Sequence, residues 1–311
     1  MIRSEPFRRL PFEEIPDVPR REHALARAET RHVVVRSAHF GEHRVFLREA
    51  GEGPPLLLIH GLMTSSYSFR YVIEPLSRHY RVLVPDLPGA GRSDKPDVAY
   101  SAPALAEWIL ELVTALDVRG TRCIGNSLGG YLCMRAALRD GAVFSRLVNI
   151  HSPGVADARL RALHLALALP GPGRALAWYV RSRPERFAHA NVHYFDESLK
   201  SREEAREYGR PLETEAGARA FVRYLSECLD PSELSSFGRD LERRRAVGER
   251  FPVPLQLIYA RRDPMVPPRV GRALSALVPS AELVWLEDTS HFAHVDSPER
   301  LLDVVLPFLA G

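Results

Sequence analysis

A chain of 311 residues that is 45% hydrophobic is neither disordered nor fibrous, and it can bury a large core as one domain or as a domain with an insert. A formal net charge of +3 gives no basis for a nucleic-acid surface, although only two lysines, Lys95 and Lys200, stand among the 42 basic residues; that arginine bias is compositional. Three cysteines, Cys123, Cys133 and Cys228, lack CxxC spacing, which argues against a disulfide framework and a zinc site; they read as reduced, buried thiols of a cytoplasmic protein.

Residues 1–30 are punctuated by proline and arginine and follow neither the strand nor the helix period, so they are expected to form an irregular arm over the domain. They lack the apolar stretch of about 7–15 residues that a secretory signal needs. No later segment reaches the ~20 apolar residues of a membrane span. Arg31 to Arg36 and Arg44 to Glu49 read as two strands around a hairpin turn at Phe40-Gly41-Glu42-His43.

The texture then changes. Leu56 to Ile59, Val82 to Val84, Thr121 to Ile124 and Leu147 to Ile150 are short apolar runs separated by helical patterns, the alternation of a parallel sheet covered on both faces. Ser101 caps a helix in which Leu105, Trp108, Ile109, Leu112, Val113 and Leu116 form one apolar stripe. From about Pro153 to Arg250 there is no strand pattern; the stretch is charged and helical, an inserted lid. Strands resume at Leu255 to Ala260 and Leu283 to Leu286. A last helix begins at Ser297-Pro298 and is interrupted at Pro307. The organisation expected is thus an arm (1–30), an α/β core (31–153 and 251–311) and a helical cap (154–250).

Directly after the run ending at Ile124 comes Gly-Asn-Ser-Leu-Gly-Gly, residues 125–130, and directly after that the helix-forming stretch Tyr131 to Leu138. A G-x-S-x-G pentapeptide on a strand-to-helix turn holds its serine in a strained conformation, which makes Ser127 a candidate nucleophile and points the Leu128 amide at the same reacting carbonyl. A serine hydroxyl needs a base. Of twelve histidines, His291 lies on a loop shortly after the run ending at Leu286, at the strand ends where ligands bind in such sheets; His294 is its rival. The base needs a carboxylate to fix its tautomer, and Asp263, just past Ala260, sits at the same edge. A second amide for an oxyanion comes from His60-Gly61-Leu62-Met63, with Leu62 preferred and Met63 in reserve.

These landmarks together resemble the α/β-hydrolase fold from Leu56 to the C-terminus. His60-Gly61 is similar to the family's HG turn, Asp86 to Ser93 to its D-x-x-G-x-G-x-S loop, and His291-Phe292 with Ser297-Pro298-Glu299 to its histidine segment. The resemblance implies a mostly parallel, doubly wound, eight-stranded sheet and the nucleophile–acid–base order Ser127, Asp263, His291. The α/β-hydrolase fold also includes members with the acid after the sixth strand; that place here is near Asn149, where the other carboxylate at hand is Asp157. Ala260 and Ser290 stand where the family commonly has glycine. Thr64 to Arg70 is similar to the haloalkane dehalogenase and epoxide hydrolase branch, whose members use an aspartate nucleophile; here the residue is Ser127, and Leu128 replaces the tryptophan that dehalogenases use for halide.

Asp86 is expected to bond turn amides and His60 to brace the oxyanion loop. Trp178, Tyr179, Phe187, Tyr194 and Phe195 are candidates for lining an acyl or alcohol pocket, and Arg181, Arg183 and Arg186 for a solvated face. The expected activity is hydrolysis of a small-molecule carboxylic ester through an acyl-enzyme, without cofactor or metal. Carbon–carbon bond hydrolysis of a ring-fission diketone is the main rival, because enzymes of that kind share the Gly-Asn-Ser-x-Gly-Gly elbow; thioesterase, lactonase, amidase and perhydrolase activities share the same triad. A slow-turnover ligand-binding protein on the same fold is the non-enzymatic alternative.

Overall fold

The computed structural model describes residues 6–155 and 158–311. The apolar runs become eight strands: β1 (Glu29–Ser37), β2 (Gly41–Ala50), β3 (Pro55–Ile59), β4 (Arg81–Pro85), β5 (Thr121–Asn126), β6 (Phe144–Ile150), β7 (Leu255–Ala260) and β8 (Glu282–Leu286). They form one sheet in the order β1-β2-β4-β3-β5-β6-β7-β8. β1 and β2 form an antiparallel hairpin, β2 runs antiparallel to β4, and every remaining pair is parallel.

Alternate residues of the central strands point to opposite faces. Leu57, Ile59, Leu83, Cys123, Leu147 and Leu257 pack against the helices Ala102–Ala115 and Leu128–Arg139. Leu56, Leu58, Val82, Val84, Ile124 and Ile258 pack on the other side with the helix Pro298–Ala310. Both faces are therefore dry, which is why these strands read as unbroken apolar runs. Ser101 caps its helix as expected, its hydroxyl accepting from the Ala104 amide at 3.4 Å.

Two local expectations are corrected. The hairpin turn falls at residues 38–40 rather than 40–43: Ser37 Oγ accepts from the Phe40 amide at 3.1 Å, and Gly41, at φ +69°, takes the left-handed position that lets β2 begin there. The last helix is not interrupted at Pro307 but runs on to Ala310. The amide that Pro307 lacks would have served the carbonyl of Asp303, an exposed residue whose carbonyl water can satisfy, and only one turn follows.

Between β6 and β7 lie the helices Ala158–Ala168, Pro172–Ser182, Pro184–Asn191, Arg202–Gly209, Glu215–Arg223 and Pro231–Ala246. A buried ion pair ties them to the segment that follows β3: Arg70 Nη2 lies 2.5 Å from Glu204 Oε2, with both side chains almost fully buried and the guanidinium over the rings of Tyr67 and Tyr71. Tyr67 donates to the neighbouring Glu203 at 2.8 Å. Residues 6–28, irregular apart from two short 3₁₀ turns, lie against these helices. The Pro16 and Asp17 carbonyls accept from the Arg202 and Glu203 amides, at 2.8 and 2.9 Å. A buried guanidinium stripped of its counter-charge is costly, so Glu204→Gln is expected to lower stability by about 3–5 kcal/mol, read as a lower urea midpoint.

Candidate active site

Ser127 occupies the turn between β5 and the helix Leu128–Arg139 at φ 53°, ψ −121°, a left-handed region that a serine adopts only under constraint. Its amide donates to the Ile150 carbonyl at 2.6 Å, tying the turn to the end of β6. The flanking glycines are needed for space rather than for their own dihedrals, since neither has a positive φ. A Cβ at Gly129 would sit 2.3 Å from the Ile59 carbonyl of β3, and one at Gly125 would sit 2.6 Å from the Gly130 backbone. Helix and strand cross with no room between them.

The carboxyl ends of β3, β5, β7 and β8 bring the other candidates to the same edge. Asp263, three residues past β7, is buried and accepts from the Met265 and Val266 amides through Oδ1, at 2.7 and 2.9 Å. Its Oδ2 lies 2.8 Å from Nδ1 of His291, itself buried. Burial raises the Asp263 carboxyl, but the charge and hydrogen bond of His291, together with the loop amides, outweigh it and hold the group below its ordinary value. With Nδ1 engaged, Nε2 is the ring nitrogen left for chemistry. Asn126 Nδ2 donates to the His291 carbonyl at 3.1 Å, so the residue before Ser127 and the histidine loop are directly bonded.

The rivals are disposed differently. His294 is buried with neither ring nitrogen paired, packed on Phe69, and burial and the nearby Arg70 push its pKa far below the usual range. Asn149 lies under the elbow helix, its Nδ2 on Met134 Sδ, and Asp157 is outside the described residues. His60 contacts the Gly61 carbonyl through Nδ1 and accepts from the Leu87 amide through Nε2, while Asp86 accepts from the Ser66 and Arg92 amides; all are bracing roles within loops.

Leu62 and Leu128 line the same cavity, and among the described residues neither amide has a hydrogen-bond partner. Met63 holds φ 61°, a strained loop position that residue type does not signal. The cavity is small, about 30 Å³. It is lined by Leu62, Met63 and Leu128 from the core and by Tyr208, Leu212 and Phe221 from the inserted helices. None of Trp178, Tyr179, Phe187 and Tyr194 lines it. Trp178 and Tyr179 are exposed, at 70% and 49%, Phe187 packs with Leu62 and Phe221 in a small satellite cluster, and Tyr194 is buried, bonding Glu204 at 2.5 Å.

One residue near the centre carried no signal in the sequence. His151, after β6, is fully buried with φ 54°; its Nε2 accepts from the Ala260 amide at 2.6 Å, and its ring centroid lies 5.6 Å from that of His291. Burial drives its pKa down to about 3, against the pull of Asp263, so it is a neutral neighbour to the Asp263–His291 pair.

Two outcomes follow from this geometry. Gly129→Ala is expected to lower stability by about 1–3 kcal/mol or more, because backbone must yield to backbone; equilibrium unfolding in urea measures it. Asp263 has a depressed folded pKa, so its contribution is present above the ordinary unfolded value of about 3.9 and is lost as pH falls through the lower folded one. The gap in urea midpoint between the wild type and Asp263→Asn is therefore expected to be widest at neutral pH and to close below about pH 4.

Comparisons with known proteins give the same fold. The profile of the alpha/beta hydrolase fold family matches residues 54–298. A 2-hydroxymuconate semialdehyde hydrolase from Pseudomonas putida is 30% identical over 86% of this chain and 91% of its own length. A pimeloyl-[acyl-carrier protein] methyl ester esterase from Aeromonas hydrophila is 27% identical over 85% and 99%. A solved structure of a thermophilic esterase from Thermogutta terrifontis superposes with a TM-score of 0.70 at 20% identity, covering 90% of this chain and 98% of that one, which speaks to fold alone. With a matching profile across most of its length and the eight-stranded sheet to go with it, this chain belongs to the alpha/beta hydrolase family.

Proposed function

We propose that the protein is a serine hydrolase that cleaves a carboxylic ester through an acyl-enzyme. The observation that carries this reading is the buried Asp263–His291 hydrogen bond at 2.8 Å, bound through Asn126 to the strained turn that bears Ser127. In this reading His291 Nε2 takes the Ser127 proton as Oγ attacks the ester carbonyl, and Asp263 stabilises the imidazolium that results. The Leu62 and Leu128 amides hold the oxyanion. The alcohol leaves with the proton from His291, and a water activated by the same nitrogen releases the acid. The helices between β6 and β7 act as a cap that encloses the acyl or alcohol group, and they must shift to admit it, because the cavity beneath them, about 30 Å³, is far smaller than a pocket for an ester substrate. His151, held neutral, adds no charge against the developing imidazolium.

Carbon–carbon bond hydrolysis is the second reading, favoured by the relative named a 2-hydroxymuconate semialdehyde hydrolase. The cavity speaks for the ester: no arginine or lysine is among its lining residues, so the carboxylate of a dienoate diketone would find no cation there, whereas a neutral ester needs none.

Ser127→Ala is expected to lower kcat for nitrophenyl esters by at least about 10⁴-fold while the melting temperature is kept. Substantial turnover by the pure variant would sink the mechanism. With the wild type, a nitrophenyl ester series of increasing acyl length is expected to give kcat/KM values above that for a ring-fission diketone; the reverse order would give the bond to carbon–carbon cleavage. Stoichiometric labelling by a fluorophosphonate without turnover of any ester would point to a binding protein.

A further inference from the structure

The stretch from Ala158 to Arg183 holds five arginines and no aspartate or glutamate, although the whole chain carries a formal charge of only +3, so the rest of the molecule is net negative. It forms two adjoining helices, Ala158–Ala168 and Pro172–Ser182. On the second, Leu176, Ala177 and Val180 turn inward and pack with Leu62 and Met63, the loop proposed to hold the oxyanion. The opposite face carries Arg174, Trp178 and Arg181, spaced i, i+4, i+7 and all exposed. On the first, Leu160, Leu163 and Leu167 are half-buried, while Arg161 and Leu165 are exposed, with Leu169 just past its end.

Two properties set this surface apart. Of eight large hydrophobic side chains exposed among the described residues, four lie here: Trp178 at 70%, Leu165 at 68%, Leu169 at 62% and Tyr179 at 49%. Single exposed apolar residues are ordinary, but a cluster of this kind marks a contact surface. Elsewhere many surface arginines sit within 4 Å of a carboxylate, as Arg36, Arg92, Arg139, Arg219 and Arg244 do. Arg161, Arg174, Arg181 and Arg183 have no such partner among the described residues.

We propose that this face docks on an anionic phospholipid surface. Leucine and tryptophan between unpaired arginines is the composition of a helix lying in the membrane interface: the apolar groups enter the acyl boundary, the tryptophan and tyrosine rings sit at headgroup level, and the guanidinium groups meet phosphates. A second copy of the chain is the poorer occupant, because a two-fold contact sets this face against itself and brings unpaired arginines together. The docking depends only on the surface and not on the chemistry proposed for Ser127.

Co-sedimentation of the full chain with vesicles tests it, using phosphatidylcholine alone and phosphatidylcholine mixed with phosphatidylserine. The wild type is expected to pellet with the mixed vesicles at low salt, to be released as salt rises, and to stay in solution with phosphatidylcholine alone. Arg174→Gln, Arg181→Gln and Arg183→Gln combined are expected to weaken partitioning by on the order of 100-fold. Trp178→Glu with Leu169→Glu is expected to abolish it. All five side chains are exposed, so melting curves are expected to match the wild type; single Arg181→Glu serves if a combined variant melts early. A wild type that pellets with neither vesicle overturns the proposal, as do variants that pellet like the wild type. A wild-type dimer in light scattering that Trp178→Glu with Leu169→Glu dissociates, without vesicle binding, overturns it in favour of a second copy.

Discussion

The rest of the site depends on one steric constraint, the approach of the helix Leu128–Arg139 to the end of β3. At Gly129 a single added carbon would strike the Ile59 carbonyl, and at Gly130 it would strike Asn149 Oδ1 at 2.3 Å. This closeness forces the chain to turn at Ser127 within one residue, at a φ that serine does not choose. It also places Gly61 against the elbow, where an added Cβ would lie 3.0 Å from that of Ser127. The loop after β3 and the first turn of the helix thus lie against each other at the elbow. The strain is local; what stabilises it is the packing of strands and helix on both sides.

A second set of contacts ties the helices between β6 and β7 to the loops around the elbow. Arg70 follows the loop after β3, and its partner Glu204 lies on an inserted helix, so the ion pair couples the covering helices to the loop that carries the Leu62 and Met63 amides. Ser290, a residue that departs from the family's usual glycine, adds a link on the far side: its hydroxyl meets Asp296 at 2.5 Å and the His193 carbonyl at 3.0 Å. Asp296 also accepts from the Phe195 amide at 2.8 Å. The histidine loop and the covering segment are therefore held by the same carboxylate. Any movement of these helices away from the core would have to strain or break contacts of this kind.

The legibility of the chain followed the range of the forces involved. The strands could be read because dry faces on both sides require unbroken apolar runs, and six of them stand within a few residues of where those runs lie. The elbow could be read because its glycines answer to hard sterics within one turn of chain. Pro307 misled because a proline's local cost was weighed without the solvent that satisfies Asp303 at the end of the helix. Trp178 and Tyr179 misled for a different reason: an aromatic side chain on an inserted helix carries no mark of which way the helix faces, and these face outward while Tyr208 and Phe221 face the cavity.

By itself the sequence determined the sheet, the order Ser127, Asp263, His291 along the chain, and the turn that exposes the serine, because each rests on short-range periodicity or on the absence of a Cβ. Only the tertiary structure decided that Asp263 and His291 meet, that His294 does not share in the pair, that neutral His151 stands beside it, and that Arg70 is buried against Glu204. Those are contacts between residues from 28 to 140 positions apart. They form only when the strands have been brought side by side and the inserted helices laid across their ends, and no local pattern encodes a distance of that kind.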